Sequence, residues 1–301
     1  MTPILITGIN GFLGKYLFKE LNEHYLIHGL SRNSGEYLVD LINEIPKFDA
    51  NFRIIIHAAG LAHKSIIHNQ NVCQFHQVNV QGTNNLLLGL ERSSLPKYFV
   101  FISSVSVYGI HQGNCVNEIA SLGAKDPYGK SKVEAEELVL NWCKTNNIVC
   151  TILRLPLLVG SNPPGNLGSM INGLKSGFYF NIAGGKARKS MVLASDVSKY
   201  ILKASEIGGI FNLTDGYHPS FFELSEIISR QLGKSRSKNL PFWLAKGLAL
   251  TGDIFGEKAP LNSAKLHKIT SDLTFDDSKA REAFGWHPTP VLEGFNISEK
   301  N

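Results

Sequence analysis

No stretch of this 301-residue chain approaches the ~20 consecutive apolar residues that a membrane-spanning helix needs. Met1 to Thr7 carries no basic charge ahead of an apolar core, so a secretory leader is not expected and a cytoplasmic protein is. Cysteine is scarce. Cys73, Cys115, Cys143 and Cys150 are scattered with no C-x-x-C pair, which argues against a zinc site or a disulfide framework. No metal site is expected, and the thiols read as reduced. Net charge is +5, yet Lys and Arg form no dense run. That argues against nucleic acid and mildly favours small anionic ligands. Internal repeats and low-complexity tracts are also missing. With 43% hydrophobic and 18% charged residues, the chain suits one large globular unit or two closely joined lobes.

What is present is alternation. Ile4 to Thr7 is a short apolar run ending in glycine, as a buried parallel strand should be. Phe12, Leu13, Tyr16, Leu17 and Leu21 then recur at helical spacing. Further strands are predicted at Leu26 to Leu30, Tyr37 to Leu41, Ile54 to Ile56, Tyr98 to Ile102 and Ile148 to Leu153. Helices are predicted through Val78 to Leu90 and from about Tyr128 to Lys144. Strands alternating with helices imply crossover units, hence a doubly wound, Rossmann-type α/β fold with a parallel sheet. After Arg154 the texture changes, with Pro163-Pro164-Gly165 and Gly184-Gly185 marking loops. Ser220 to Glu223 reads as a capping box opening a helix with Leu224, Ile227 and Ile228 on its apolar face. We therefore expect a dinucleotide-binding domain over 1–160, with segments near 190–215 returning to it. A smaller C-terminal substrate-binding lobe would occupy 161–301.

Two local patterns carry chemistry. The first is Thr7-Gly8-Ile9-Asn10-Gly11-Phe12-Leu13-Gly14, three glycines between the first strand and first helix. Gly8 would allow the tight turn, Gly11 the approach of a pyrophosphate, and Gly14 close helix–strand packing, with the helix N-terminus facing the anion. Position on a strand-to-helix turn separates this from an ordinary glycine triplet. The second strand ends in Ser31-Arg32-Asn33 with no carboxylate for the ribose hydroxyls of NAD. A hydroxyl and a guanidinium there favour the 2′-phosphate of NADP(H), with NAD the alternative. Asp40 is a candidate for the adenine amine. The second pattern is Tyr128-Gly129-Lys130-Ser131-Lys132. Tyrosine and lysine four apart share a helical face, and an ammonium beside a phenol would draw its pKa down toward working pH. Upstream, Ser103, Ser104 and Ser106 close a predicted strand at the carboxyl edge of the sheet, where open α/β sheets bind ligands.

Together these motifs resemble the extended short-chain dehydrogenases of the nucleotide-sugar epimerase/dehydratase family. The resemblance extends to His57-Ala58-Ala59-Gly60, Asn79 to Thr83, S-S-x-x-V-Y-G at Ser103–Gly109, Asp277 to Ala280, and Gly285-Trp286. It implies that Ser104, Tyr128 and Lys132 are the catalytic triad. It also implies that Ala58, Ala59 and Gly60 line the cofactor and that Asn79 is mainly structural. Asn166 and Leu167 match the family's uracil-side loop, and Arg188 and Lys189 its phosphate-binding cation, which implies a UDP-sugar substrate. His57 and His63 read as packed or surface histidines rather than acid/base groups.

The departures narrow the chemistry. The 4,6-dehydratases of the family carry Asp and Glu where this chain has Val105 and Ser106. Bound-NAD epimerases are disfavoured by Ser31-Arg32. The resemblance then points to NADP(H)-dependent reduction of a UDP-4-keto-6-deoxy-N-acetylhexosamine at C4, as in surface-polysaccharide precursor synthesis. An NAD-dependent UDP-hexose 4-epimerase is the alternative, and a non-catalytic NADP-binding sensor the reading from another class. The apolar stretch Leu240 to Leu250 admits membrane-surface docking or a homodimer face, and burial against the substrate lobe is preferred. Because Val105 and Ser106 cannot act as elimination acid and base, the protein alone should form no 4-keto-6-deoxy product from UDP-N-acetylglucosamine. Product analysis by mass spectrometry checks this, and a loss of water from that substrate would refute it.

Overall fold

The computed structural model describes residues 1–62, 69–256 and 259–297. β1 (Pro3–Thr7) leads through α1 (Phe12–Leu21) to β2 (Leu26–Ser31) and the short β3 (Tyr37–Leu38). β4 (Ile54–His57) precedes α2 (Asn69–His76), a π-helical turn (Gln77–Gln81) and α3 (Gly82–Glu91). The single helix expected over 78–90 is thus a π-turn running into an α-helix. β5 (Tyr98–Ser104) passes into a 3-10 turn (Val105–Tyr108), β6 (Gly113–Val116), α4 (Pro127–Thr145) and β7 (Val149–Leu155).

Beyond β7 lie β8 (Leu157–Val159), α5 (Gly165–Ser176), β9 (Phe180–Ile182), β10 (Met191–Leu193), α6 (Ala194–Ile207) and β11 (Gly209–Asn212). They are followed by α7 (Phe221–Gln231), β12 (Lys238–Leu240), α8 (Phe242–Asp253) and α9 (Ser263–Thr270). The chain closes with β13 (Leu273–Phe275), α10 (Ser278–Phe284) and α11 (Val291–Gly294).

Seven strands form one sheet in the order β3-β2-β1-β4-β5-β7-β11, and every pairing is parallel. The Rossmann-type fold expected from the alternation is the one observed. Strand order reverses at β1, which Ile4 joins to Ile27 on one side and Ile54 on the other. Here the crossovers leave opposite faces and a crevice opens beyond the strand ends. Alternation along the strands divides two cores. Ile4, Ile6, Ile56 and Val100 pack with Leu13 and Leu17 of α1 and Val197 and Ile201 of α6. Leu5, Ile55, Phe99 and Phe101 pack with Leu86 and Leu90 of α3 and Ala135 and Val139 of α4. Burial on both faces explains why these strands are continuous apolar runs.

The later half supplies two small parallel pairs, β8–β10 and β9–β12, pairs its β13 with β6 of the first half, and adds a third core holding Val159, Met170, Leu224 and Ile228. α7 opens with the expected capping box, Glu223 N donating to Ser220 Oγ at 3.2 Å and Ser220 N to Glu223 Oε2 at 2.8 Å. Residues 194–212 rejoin the large sheet, and so does the far C-terminal motif. Trp286 is 1% exposed in the first core, its indole N–H donating to Thr214 O at 3.0 Å and to Asp277 Oδ2 at 3.2 Å. Asp277 also receives Thr214 Oγ1 and the Arg281 guanidinium.

The preferred reading of Leu240 to Leu250 is corrected. α8 turns its small residues inward: Ala245, Ala249 and Gly252 are buried, and a Cβ on Gly252 would lie 1.9 Å from Leu261 O. Close seating on small residues leaves Trp243 and Leu250 exposed on the opposite side, and Leu248 exposed on the flank. Among the described residues no helix is long and apolar enough to cross a membrane. Truncating the C-terminal anchor, Trp286→Ala, should cost ~3–5 kcal/mol, the usual price of emptying a large core site. Urea unfolding at neutral pH measures it, and an unchanged midpoint would mean that the C-terminal segment is not a tether.

Candidate active site

The glycine turn stands at the carboxyl end of β1. Gly8 takes φ +68, and a Cβ there would lie 2.7 Å from Ala59 N, while a Cβ on Gly14 would lie 2.2 Å from Gly8 O. Turn, helix and the Ala58–Gly60 segment therefore close on one another without intervening side chains. α1 begins at Phe12 with no side-chain cap from Gly11 and no acid in its first turn. The first-turn N–H groups of Phe12, Leu13 and Gly14 have no carbonyl four residues back within the helix, and the helix dipole adds positive potential. That cradle fits the diphosphate of a dinucleotide.

Beside it, Asn10 Nδ2 donates to Ser31 Oγ and to Ser34 O, both at 2.7 Å. Ser31 Oγ in turn donates to Ser34 O and accepts from Asn33 N and Ser34 N. The serine expected to meet the cofactor is thus locked into its own turn. Arg32 is left exposed at the strand end. The next carboxylate, Glu36, bonds His28 Nδ1 at 2.6 Å. Asp40 caps the turn after β3, accepting from Ile42 N at 3.2 Å and Asn43 Nδ2 at 2.9 Å.

His57 is 1% exposed and uses both ring nitrogens. Thr7 Oγ1 lies 2.6 Å from Nδ1, and Thr83 Oγ1 lies 2.9 Å from Nε2. Thr83 donates its own proton to Asn79 O at 2.6 Å, and Thr7 Oγ1 accepts Ala59 N–H at 3.1 Å. These partners fix the neutral Nε2–H tautomer, giving a directed chain from Ala59 N–H through Thr7, His57 and Thr83 to Asn79 O. Burial, reinforced by the Lys132 charge, drops the imidazole pKa to about 3. His57 is a structural relay, in line with the packed role expected of it, whereas His63 lies outside the described residues. Asn79, on the π-turn, braces Leu61 through N–H and C=O at 2.8 and 3.1 Å and bonds Ser131 Oγ at 2.9 Å.

α4 starts at Pro127 behind an Asp126 cap, whose carboxylate accepts Gly129 N at 3.0 Å. One turn apart, Tyr128 and Lys132 share a cavity of about 100 Å³ with Ala58, Gly60, Leu61 and Ile102. The Tyr128 ring lies 5.8 Å from that of Phe75. Burial pushes its phenol above the ordinary value, Asp126 adds to the rise, and a bond from Ser104 opposes it. The expected lowering by Lys132 is not what this geometry produces. Lys132 Nζ donates to Ile102 O at 2.7 Å and sits 4.4 Å from the Phe101 ring centre. Burial brings this ammonium itself down to about 8, against the pull of Glu136. Ser104 Oγ caps the 3-10 turn, accepting from Ser106 N and donating to Ser106 Oγ, both at 3.2 Å.

Under this cavity lies a pair that the sequence reading missed. Glu136, one turn beyond Lys132, receives Arg154 through Nη2 at 2.7 Å and Nε at 3.1 Å, and Ser103 Oγ at 2.5 Å. Arg154 continues to the Tyr108 hydroxyl at 3.1 Å, which donates to Asn212 Oδ1 at 2.8 Å. Tyr128, Lys132 and Glu136 at successive fours on one face were the available signal, since a carboxylate on a buried stripe demands a partner.

The remaining candidates lie outside that cavity's lining. Asn166 is exposed in the first turn of α5, while Leu167 is buried in the third core, so its side chain packs rather than lining an open pocket. The Arg188 guanidinium donates to His218 O at 3.1 Å beside the Tyr217 ring. Lys189 Nζ donates to Lys268 O at 3.0 Å, and burial with the nearby Lys268 charge lowers its pKa to about 8.

Residues 4–213 match the sequence model of the NAD dependent epimerase/dehydratase family. An N-acetyl-alpha-D-glucosaminyl-diphospho-ditrans,octacis-undecaprenol 4-epimerase of Escherichia coli O157:H7 is 25% identical, aligning 97% of this chain with 93% of its own length. A UDP-glucose 4-epimerase of Vibrio cholerae is 27% identical with the same coverages. Among solved structures, the UDP-glucose 4-epimerase of Thermotoga maritima with UDP-glucose superposes with a TM-score of 0.76 at 19% identity, over 97% of this chain and 96% of that one.

The relay makes a pH prediction. The folded pKa of His57, about 3, lies below the unfolded value near 6.5, so on acidification the unfolded chain takes the proton first. Its contribution is complete above pH 6.5 and is lost progressively as pH falls toward 3, amounting to about 2 kcal/mol by pH 5. Nitrogen-15 spectra at pH 5 should still show a neutral Nε2–H ring. A protonated His57 in the folded protein at that pH would break the relay argument.

Proposed function

The chain belongs to the NAD dependent epimerase/dehydratase family, and from that membership we propose that it reduces a nucleotide-linked 4-keto-6-deoxy sugar at C4 with NADPH. At the coarser level it is a nicotinamide-dependent enzyme of nucleotide-sugar chemistry, an oxidoreductase or a 4-epimerase. The observation that carries the finer reading is the end of β2. Ser31 is tied to Asn10 and Ser34, Glu36 is turned back to His28, and Arg32 is exposed, so a guanidinium and no carboxylate awaits the adenosine ribose. That supports the 2′-phosphate of NADP(H) and a net reduction drawing on a reduced pool.

NADPH, with its diphosphate held by the glycine turn, would supply the hydride. Tyr128, kept protonated by burial, donates its phenolic proton to the C4 oxygen as charge develops there. Ser104, whose hydroxyl proton goes to Ser106 Oγ in the structure, is the second donor we assign to the same oxygen. Lys132 would hold the nicotinamide ribose hydroxyls and balance the charge left on Tyr128. Ala58 and Gly60 form the apolar wall beside them. In the second lobe we assign Asn166 to the uracil of a UDP-sugar and the charges of Arg188 and Lys189 to its diphosphate. The reaction is placed in the cytoplasm. The non-catalytic sensor is set aside because serine, tyrosine and lysine all remain.

The 4-epimerase is the second reading, favoured by the names of the two relatives aligned over nearly the whole chain. Cofactor and product separate the two. With a panel of UDP-sugars and UDP-4-keto-6-deoxy sugars, NADPH should be consumed in step with product and preferred over NADH, and Arg32→Ala should narrow that preference. Tyr128→Phe should still bind NADPH while turnover falls ~10²–10⁴-fold, the usual worth of a general acid. Interconversion of UDP-glucose and UDP-galactose on tightly bound NAD would install the epimerase instead. Unchanged turnover in Tyr128→Phe would place the chemistry elsewhere.

A further inference from the structure

α8 inverts the usual logic of a surface helix. Its inward residues Ala245, Ala249 and Gly252 are small, and the large apolar ones point out. Trp243 is 73% exposed, Leu250 58% and Ile254, just past the helix, 82%. At 100° per residue, Trp243, Gly247, Leu250 and Ile254 form one stripe directly opposite the buried one. Phe242 and Phe255 stand exposed at its two ends. A helix with an apolar stripe on its outer side as well as its inner one has a second face to cover. Nothing among the described residues covers this stripe.

The charges say what does. Lys246 on α8, and Lys234 and Lys238 in the segment leading into it, are exposed and make no ion pair among the described residues, while Arg236 in the same segment is exposed and paired with Glu226. Over 232–256 the only acid is Asp253, which is engaged with Ser263. An isologous dimer through this face would bring the same unpaired cations together from both copies. An anionic bilayer surface instead takes tryptophan and phenylalanine at headgroup depth and lysines at phosphate level.

We propose that α8 and its flanking lysines are a peripheral membrane-docking face that seats the protein on bilayers rich in anionic phospholipid. The face lies outside the cavity that holds Tyr128 and Lys132, so docking and chemistry can be separated by substitution.

The test uses the full protein with extruded vesicles of phosphatidylcholine alone, or with a quarter of phosphatidylglycerol. Sedimentation should recover the protein with the anionic vesicles, weakly with the neutral ones, and less at high salt. Trp142 and Trp286 are buried, so a blue shift of tryptophan emission on vesicle addition reports Trp243. Trp243→Glu combined with Leu250→Glu should abolish sedimentation and the shift, leaving circular dichroism and turnover of soluble substrate unchanged. Replacing Lys234, Lys238 and Lys246 by Gln should reduce binding at least tenfold and remove the salt dependence. Absence of binding to anionic vesicles, or equal binding by both variants, overturns the proposal. So does light scattering that shows a dimer which the Glu variant dissociates, because the stripe would then be covered by a second copy.

Discussion

The ion pair between Glu136 and Arg154 is the constraint on which the rest of the active region depends. It is buried on both sides, and each ion gives up several kcal/mol of hydration on leaving water, so the pair is tolerable only with its nitrogens and oxygens engaged. The fold meets that condition with groups from separate elements. Ser103 comes from β5, Glu136 from α4, Arg154 from β7, Tyr108 from the 3-10 turn and Asn212 from β11. None of them can shift without leaving a charge or a hydroxyl unpaired in a dry interior. α4 is thereby pinned against the strands one turn beyond Lys132 and two beyond Tyr128. The carboxylate also supports the ammonium of Lys132, which burial would otherwise discharge further.

Much of this was legible from the sequence because it is local. The glycine turn, the Tyr128/Lys132 pair and the Ser220/Glu223 box are set by neighbours within a few residues, and the isoleucine-rich strands announce burial on both faces. What escaped is tertiary. Glu136 and Arg154 are joined across a helix and a strand, and no periodicity marks their pairing. The π-turn at Gln77–Gln81 looks like ordinary helix in one dimension, although it aims Asn79 at both Leu61 and Ser131. The Tyr128 pKa was misjudged for a related reason. Proximity of tyrosine and lysine in sequence says nothing of how dry their pocket is, and there desolvation outweighs the neighbouring charge. α8 failed in the opposite direction. An apolar stretch reads as core, but seating on alanine and glycine against Leu261 leaves the bulky residues no interior to enter.

The His57 relay has a consequence for how this protein can change over time. Each hydroxyl in the chain carries one proton, so the direction of every bond is set by its neighbour, from Ala59 N–H at one end to Asn79 O at the other. Thr7, His57 and Thr83 therefore behave as one inherited character rather than three. A new residue at any of these positions must accept a proton on one side and offer one on the other, or the remaining two are left frustrated together. Substitutions here should become fixed in concert, and a lineage that replaces His57 should carry the record of it at the strand before and the helix after.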